Sequence, residues 1–259
     1  PEIPPDADDL AHVIHLLTRL DWPDRRAILN DPLSFLEKNF HPDGSCNTWL
    51  MDDPTAAHQA RQSWAGGDEL CHPEVLANLL AALAAHDPER FANHLQAGAR
   101  WLIQRVHPQG WAAHWYWGWG YGNFQAIRAL RAVAARWPDL IPEAHVPVQK
   151  VLDNLLERQS PEGSWTPERS PVEFAAARLP SILETSFSLE ALAAAEDWAP
   201  AAGRSAIRQA AVWLASQQQR DGSWEAEPLY FTLGRNAYQS REVTTAITLG
   251  ALLTAKLSD

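Results

Sequence analysis

A glycine-centred loop recurs four times along the chain and separates helical segments of two kinds. The glycines are Gly44, Gly110, Gly163 and Gly222, and a Trp follows closely in three of the four copies. Their spacing of roughly 60 residues suits one pair of long antiparallel helices with connecting loops. The repeat therefore predicts a chain built from successive helical hairpins.

The segments on the two sides of each glycine differ in how their apolar residues are distributed. The segments before the glycines are amphipathic and span residues 31–40, 88–106, 142–159 and 201–218. The segments after the glycines, and one near the N-terminus, are apolar on almost all sides and span residues 9–20, 74–85, 121–135, 184–195 and 242–253. Amphipathic helices have a solvent side, whereas helices that are apolar all round lie in the interior.

Alternating outer and inner helices predict an all-α fold of the α/α-toroid type, a barrel of helical hairpins whose inner helices surround a central cavity. A closed ring of this type, an (α/α)6 barrel, has six hairpins, whereas five inner and four outer helices are predicted here. We therefore expect residues 1–259 to form a single α/α-barrel domain that lacks the N-terminal part of the ring. A segment upstream of Pro1, or another chain, would complete it.

Composition excludes several classes of function. The net charge of −11 repels phosphate backbones, so a nucleic-acid partner is not expected. The two cysteines, Cys46 and Cys71, form neither a metal-ligand spacing nor a disulfide framework. We therefore expect no metal site, and a cytoplasmic location is favoured. No apolar run has the length of a membrane span, and no signal sequence opens the chain.

Three carboxylates, Asp6, Asp8 and Asp9, stand together at the start of the first apolar segment. Each charge raises the cost of the next, so at least one of the three pKa values should rise. A carboxyl that keeps its proton at neutral pH can serve as an acid catalyst. The structural alternative places Asp9 as the helix N-cap and the other two carboxylates in a solvated turn.

Acidic residues also stand at the starts of later inner helices, at Glu74, Glu184 and Glu242. Favourable pairing with the positive ends of the helix dipoles explains them, and it contributes less than about 1 kcal/mol each. We expect these three residues to be structural.

Aromatic residues concentrate near the predicted mouth of the ring. The candidates for a cavity lining are Trp115, Trp117, Trp119, Tyr121, Phe124, Phe187, Tyr230 and Tyr238. Their π faces attract cations and do not act as bases. Ordinary core packing explains the same residues equally well, so both interpretations stay open.

Two kinds of motif resemble those of a known family. Gln159-x-x-x-Gly163-Ser164-Trp165 and Gln218-x-x-x-Gly222-Ser223-Trp224 resemble the Gln-Trp repeats of squalene-hopene and oxidosqualene cyclases. Asp6-Ala7-Asp8-Asp9 resembles the Asp-x-Asp-Asp motif of class II terpenoid cyclases. The order of the motifs also agrees, and the similarity covers essentially the whole chain.

The resemblance implies an isomerase that starts the cyclisation of a polyprene or a prenyl diphosphate by protonation. Asp8 would be the general acid, tuned by Asp6 and Asp9, and aromatic faces would stabilise the carbocations. His12 shares the helical face of Asp8, and Asn78 stands where hopene-type cyclases have a supporting His. No cofactor is implied, except Mg²⁺ with a diphosphate substrate. The partner would be an isoprenoid, with contact to a membrane surface during its uptake.

The chain departs from the family pattern at several positions. Leu10 stands where the family has Thr after the acidic motif. Phe40 and Cys46 replace the Gln and Trp of the first repeat, and Val106 and Trp111 leave the second repeat out of register. The second, γ, domain of the larger cyclases has no counterpart here. These departures concern the specific activity and not the fold.

Two other functions fit parts of the sequence. A non-catalytic toroid that binds a lipid or a protein partner would leave Asp8 exposed and titrating normally. A carbohydrate enzyme would need two carboxylates facing each other across the cavity, such as Asp8 with Glu184 or Glu242. The Gln-Trp spacing argues against that reaction. Protein prenyltransferase β subunits use the same toroid with a zinc site, for which no recognisable ligand set is present.

Overall fold

The computed structural model describes residues 4–52, 70–167, 179–198, 202–231 and 237–257. Within these ranges the chain forms nine α-helices: α1 (Ala7–Arg19), α2 (Arg25–Glu37), α3 (Pro73–His86), α4 (Ala92–Gln104), α5 (Gly120–Arg136), α6 (Ile141–Arg158), α7 (Ile182–Ala194), α8 (Ala202–Ser216) and α9 (Arg241–Leu257). A short antiparallel pair of strands, β1 (Pro228–Phe231) and β2 (Ala237–Gln239), precedes α9. Among the described helices, none combines the length and the hydrophobicity needed to cross a membrane.

The predicted all-α class is confirmed, and each predicted segment corresponds to one helix. The largest error in a boundary is at α2, which begins at Arg25 and carries Pro32 in its interior. Leu29, Leu33 and Leu36 bury one face of this helix, so its apolar stripe starts before the proline. Burial of that stripe offsets the backbone N–H that Pro32 lacks.

Contacts divide the chain into two compact units, and the first comprises residues 1–105 and 129–144. In it, α1 packs against α2 and α3, and α3 packs against α4. Helix α3 is buried from Glu74 to Ala84, as predicted for an inner helix. Helix α1 differs from the prediction, because Val13, Leu16 and Leu20 are 46%, 58% and 58% exposed. Its buried residues occupy the one stripe that faces the other described helices.

The second unit comprises residues 106–128 and 145–259. In it, α7 packs against both α8 and α9, which also contact each other. Helix α7 is buried on almost every side, as predicted for an inner helix. Helix α9 is not, because Leu249 and Leu253 are 44% and 64% exposed. The prediction of one domain over the whole chain stays a prediction.

The four loop glycines adopt the same kind of backbone conformation. Gly44, Gly110, Gly163 and Gly222 have φ angles of 91°, 118°, 99° and 87°, in the left-handed region that favours glycine. At Gly163 a Cβ atom would also lie only 2.4 Å from the carbonyl oxygen of Gln209. Each loop therefore has a glycine at its turn, and replacement of that glycine by any other residue would strain the backbone.

Trp165 and Trp224 connect an outer helix to the inner helix that follows it. The Trp165 indole N–H donates to the Leu155 carbonyl on α6 at 2.8 Å, and its backbone N–H donates to Thr185 Oγ1 on α7 at 3.0 Å. Trp224 makes the corresponding bonds to Leu214 on α8 and to Thr245 on α9, at 2.7 and 3.1 Å. Both rings are only 1% exposed. Each Trp thus fixes the position of one inner helix.

Candidate active site

The acidic triplet lies where the chain enters α1. Asp6 is in the extended conformation and is the N-cap of the helix, because its Oδ1 accepts a hydrogen bond from the Asp8 backbone N–H at 2.6 Å. The Ala7 backbone N–H donates to the Thr48 carbonyl at 2.8 Å and fixes the entry of the chain. The alternative assignment of Asp9 as the N-cap is wrong, since the helix starts at Ala7, three residues before the position that a cap at Asp9 requires.

The Asp6 carboxyl holds a proton more strongly than an ordinary aspartic acid. Burial, with a smaller contribution from the charges of Asp8 and Asp9, raises its pKa from 3.8 to about 7 against the opposing effect of the hydrogen bonds from the backbone. Burial is therefore the main reason that a proton-binding group near neutral pH exists here, whereas the mutual repulsion on which the sequence prediction rested is a smaller cause. Asp6 is thus a member of the acidic triplet whose pKa is raised.

Asp8 lies in the first turn of α1 with its side chain only 14% exposed. The fully buried Asn78, on α3, donates from Nδ2 to Asp8 Oδ1 at 2.7 Å. When Asp8 is neutral, its proton is therefore carried on the other oxygen, Oδ2. The structure thus brings Asp8 and Asn78 into direct contact across 70 residues of sequence.

His12 and Asp9 are placed differently from Asn78. His12 is 57% exposed and its Nε2 lies 3.9 Å from Asp8 Oδ2, which is too long for a hydrogen bond. The same nitrogen lies 3.2 Å from Asn78 Nδ2. A neutral His12 with its proton on Nδ1 accepts that bond, so Asn78 connects His12 to Asp8. Asp9 is exposed to solvent on the same turn.

The second unit contains a compact aromatic and aliphatic cluster. Tyr116 and Tyr121 stack with ring centroids 3.6 Å apart, and Phe187 packs edge-on against Tyr121 at 5.1 Å. We call this group the aromatic cluster; its members are Ala113, Tyr116, Tyr121, Phe124, Leu183, Phe187, Leu229 and Ile247. It joins residues of α5, α7, α9 and β1 with the loop before α5. Tyr121, Phe124 and Phe187 were predicted for the lining, whereas Tyr116, which lies between the selected Trp115 and Trp117, was not.

The other predicted lining residues lie around the loop and the strand pair. Tyr230 packs edge-on against Tyr116 at 6.3 Å and stacks on Tyr238, which is 38% exposed, at 4.8 Å. Trp115, Trp117 and Trp119 are half-buried. The Trp117 backbone N–H donates to the Leu229 carbonyl at 3.2 Å, which ties the loop to β1. Their roles as lining or packing residues stay predictions.

Glu184 positions the loop just before α5, residues 115–119, which we call the aromatic loop, by capping a neighbouring helix. Its carboxylate accepts hydrogen bonds of 3.1–3.2 Å from the backbone N–H groups of Trp119 and Gly120 at the start of α5. A Cβ on Gly118 would collide with this carboxylate, so the loop has room only for glycine there. The expectation that Glu184 pairs with the dipole of its own helix is therefore corrected, because the helix it serves is α5. Glu227 caps α7 in the same way, through Ser181, Ile182 and Leu183.

Metal-ligating groups do not cluster in the part of the chain that the structure describes. No three His, Cys, Asp or Glu side chains are arranged there to hold a metal ion. Cys46 and Cys71 are both buried free thiols, and burial raises the pKa of Cys71 to about 12.

Solved structures share this fold over almost the whole chain. A protein from Actinoplanes is 22% identical with a TM-score of 0.72, and the match covers 98% of this chain and 76% of that one. The type II terpene cyclase MstE from Scytonema is 18% identical with a TM-score of 0.71, covering 99% and 76% of the two chains. Variants of MstE were solved with geranylgeranyl dihydroxybenzoate, its substrate, and with merosterolic acid A, its product.

A further match is ent-copalyl diphosphate synthase from Streptomyces platensis, with 17% identity and a TM-score of 0.67. This match covers 98% of the present chain but only 42% of the synthase. These likenesses identify the fold as the α/α-toroid type of the class II terpene cyclases. No curated protein matches the sequence significantly.

Membership of a family follows from the sequence match over the central part of the chain. Residues 68–230, more than half of the chain, match the family described as squalene-hopene cyclase C-terminal domain. The matched region contains Asn78, the aromatic loop and α7. The chain therefore belongs to the squalene-hopene cyclase C-terminal domain family.

Proposed function

We propose that this protein cyclises an isoprenoid in a reaction that starts with protonation of the substrate by Asp8. Membership of the squalene-hopene cyclase family and the class II terpene cyclase fold support this type of reaction. The observation that carries the assignment is the hydrogen bond from the buried Asn78 to a largely buried Asp8, beside a carboxyl with a raised pKa. Aspartates in a solvated turn would instead be exposed and would bond to water.

Asp8 in its neutral form is the proton donor in this proposal. Asn78 fixes Oδ1, so the proton leaves from Oδ2 and forms a C–H bond with the terminal alkene carbon, or an O–H bond with an epoxide. Protonation of an alkene requires a strong acid held in a site that excludes water, because water would trap the first cation. The low exposure of the Asp8 side chain is consistent with that need. Asp6 and Asp9 would tune and orient it.

The aromatic cluster would stabilise the carbocations that follow. Tyr116, Tyr121 and Phe187 present closely packed π faces, which attract a cation without reacting with it as a base. Its other aromatic members and the half-buried tryptophans extend this surface. Successive C–C bonds then form from the alkenes of the substrate, and loss of a proton from the last cation makes the product an isomer of the substrate.

The substrate class proposed is a polyprene or a prenyl diphosphate. Among proteins of this fold, MstE binds geranylgeranyl dihydroxybenzoate and another is an ent-copalyl diphosphate synthase. We propose that the cyclisation itself uses no cofactor and that Mg²⁺ accompanies the substrate only if it carries a diphosphate.

The non-catalytic alternative predicts an exposed Asp8, which differs from the observed burial of this side chain. A module that only binds a lipid or a protein partner would leave Asp8 exposed to solvent. Its side chain is instead 14% exposed and bonded to a buried amide. The cyclase is therefore the better-supported function.

A further helical segment is proposed to pack against α1. Val13, Leu16 and Leu20 form an apolar face that the described helices leave exposed. A ring of six hairpins requires another helix next to this one, supplied by residues upstream of Pro1 or by another chain. Burial of a cysteine introduced at Leu16, in the longest natural protein that contains this chain, would support the proposal. A cytoplasmic location, and contact with a membrane surface during substrate uptake, are likewise proposals.

The proposed function is tested by incubating the protein, with its natural N-terminus, with squalene and with C15 and C20 prenyl diphosphates. Extracts are analysed by mass spectrometry before and after phosphatase treatment. A cyclic product isomeric with its substrate, absent with Asp8→Asn, supports the proposal and identifies the substrate class. Absence of a cyclic product from every substrate, with a folded protein, would contradict it for these classes.

A further inference from the structure

A second layer of side chains lies one helical turn beyond the aromatic cluster. On α7, Glu190 follows Phe187 by three residues, and on α5, Arg128 follows Phe124 by four. On α9, Gly250 follows Ile247 by three. Residues three or four apart share a helix face, so all three helices present the next turn of the same face.

Contacts confirm that these residues meet. A Cβ on Gly250 would lie 3.8 Å from Glu190 Oε1, an ordinary van der Waals distance, so the backbone of α9 lies directly beside this carboxyl. The Arg128 guanidinium lies 5.3 Å from the centroid of the Phe124 ring and acts electrostatically on Glu190. Glu190 is thus a carboxyl next to the aromatic cluster and inside the same unit.

The carboxyl of Glu190 is not used to hold the fold together. Among the described residues it accepts no hydrogen bond and forms no ion pair, although it is only partly exposed. Burial raises its pKa to about 7, and the positive charge of Arg128 acts in the opposite direction. A glutamate in a structural ion pair would instead have a lowered pKa and would contact its positively charged partner directly. At neutral pH this group therefore exists in both protonation states.

We propose that Glu190 is the proton acceptor that ends the cyclisation. This inference rests on the proposed function, which requires a base after the last carbocation has formed. A carboxylate oxygen of Glu190 takes a proton from the carbon next to the cationic centre, and the electron pair of that C–H bond becomes the C=C bond of the product. Asp8 supplied one proton and Glu190 removes one, so substrate and product are isomers. Glu190 then returns its proton to water and Asp8 takes one up from water, which restores both groups.

The test compares Glu190→Gln, Glu190→Asp and the wild-type protein, each incubated with squalene and with the C20 prenyl diphosphate. Product composition is measured by gas chromatography and mass spectrometry. Wild type should end mainly in an alkene. Glu190→Gln should still consume substrate, but the ratio of alcohol, formed by water capture, to alkene should rise at least tenfold. Glu190→Asp should restore part of the alkene.

The pH dependence of the product ratio separates this role from a purely structural one. The alkene fraction of the wild type should fall below about pH 7, as Glu190 becomes protonated, and that of Glu190→Gln should not change with pH. Arg128 on α5 is the charged group that acts on Glu190, whereas α9 faces it with Gly250 and the described part of α8 adds no charge to it. Arg128 stays charged throughout this range.

Controls keep the outcomes distinct. Glu157→Gln, on the exposed side of α6, should leave the product ratio unchanged. If the wild type cyclises a substrate and Glu190→Gln gives the same products in the same ratio, Glu190 is not the base, while the proposed function stands. If the wild type converts neither substrate, the proposed function fails for both and the inference falls with it.

Discussion

The side-chain amide of Asn78 donates a 2.7 Å hydrogen bond to the carboxylate of Asp8, and both side chains are shielded from water. Asn78 is on α3 and Asp8 is on α1, two helices that pack against each other in the first unit. Because the bond occupies Oδ1, the proposed reaction would take its proton from Oδ2. The orientation of the Asp8 carboxyl is therefore set by a residue from another helix.

Replacement of Asn78 by Leu should lower turnover without preventing folding. Leucine has the same number of side-chain heavy atoms and the same branching as asparagine, but it donates no hydrogen bond to Asp8. A hydrogen bond to a charged group contributes about 1.5–3 kcal/mol, so kcat should fall about 10- to 100-fold. Steady-state kinetics with a substrate that the wild type converts measures kcat of both proteins. Asn93→Leu, on the exposed surface of α4, is the control, and equal rates for both variants would remove Asn78 from the mechanism.

Replacement of Asp6 by Asn should change how stability depends on pH. The folded-state pKa of Asp6 is raised to about 7, so the native state binds this proton more tightly than the unfolded state. Its contribution to stability is complete below about pH 4 and is lost as the pH rises through about 7. The shift is equivalent to at most about 4 kcal/mol, and residual exposure lowers the effect to on the order of 2 kcal/mol.

Urea unfolding at pH 5 and pH 8 measures this effect. The wild type should be less stable at pH 8 than the Asp6→Asn variant, in which asparagine still caps α1. Asp31→Asn, on the exposed surface of α2, should behave like the wild type. A parallel pH dependence in wild type and Asp6→Asn would contradict the raised pKa.

Trp165→Ala and Trp224→Ala should each destabilise the protein strongly. Both rings are buried, and each donates a hydrogen bond to an outer helix. Truncation of a buried Trp costs roughly 3–5 kcal/mol of unfolding free energy. Trp22→Ala is a matched control, because that ring is 48% exposed. Chemical denaturation should therefore separate the two buried positions from Trp22, and similar midpoints for all three would argue against the hairpin-linking role.

Tyr121→Ala should reduce turnover and release incompletely cyclised products. The ring of Tyr121 stacks on Tyr116 and contacts Phe187, so its removal opens the centre of the aromatic cluster. Loss of a desolvated cation–π contact worth about 2 kcal/mol corresponds to a rate about 30-fold lower. Tyr121→Phe keeps the ring and should retain the wild-type product profile. If both variants gave that profile, the cluster would be core packing alone.

Most of the fold could be predicted because helix periodicity is a local property of the sequence. The nine helices follow from apolar spacing, and the loop glycines mark where the hairpins turn. The predicted start of α2 at residue 31 was wrong, because the buried face begins at Leu29, ahead of Pro32. The prediction that α1 and α9 are buried on all sides was also wrong, because composition does not show which neighbours cover a helix.

The candidate site was less predictable, since its contacts join distant parts of the chain. Asn78 was found through the family resemblance and not through spacing. Glu184 was assigned to its own helix because its contact with Gly120 depends on how α5 and α7 pack. Glu190 gave no motif at all, although its position one turn after Phe187 would have indicated it once the aromatic cluster was known.

The most direct test of the account is to run the cyclisation in D₂O and determine the deuterium content of the product by mass spectrometry. Proton transfer from Asp8 predicts one solvent-derived deuterium per molecule, bonded to the carbon of the terminal alkene, with the diphosphate retained where the substrate has one. Asp8→Asn should form no such product. A cyclic product without deuterium, or equal conversion by Asp8→Asn, would contradict protonation by Asp8.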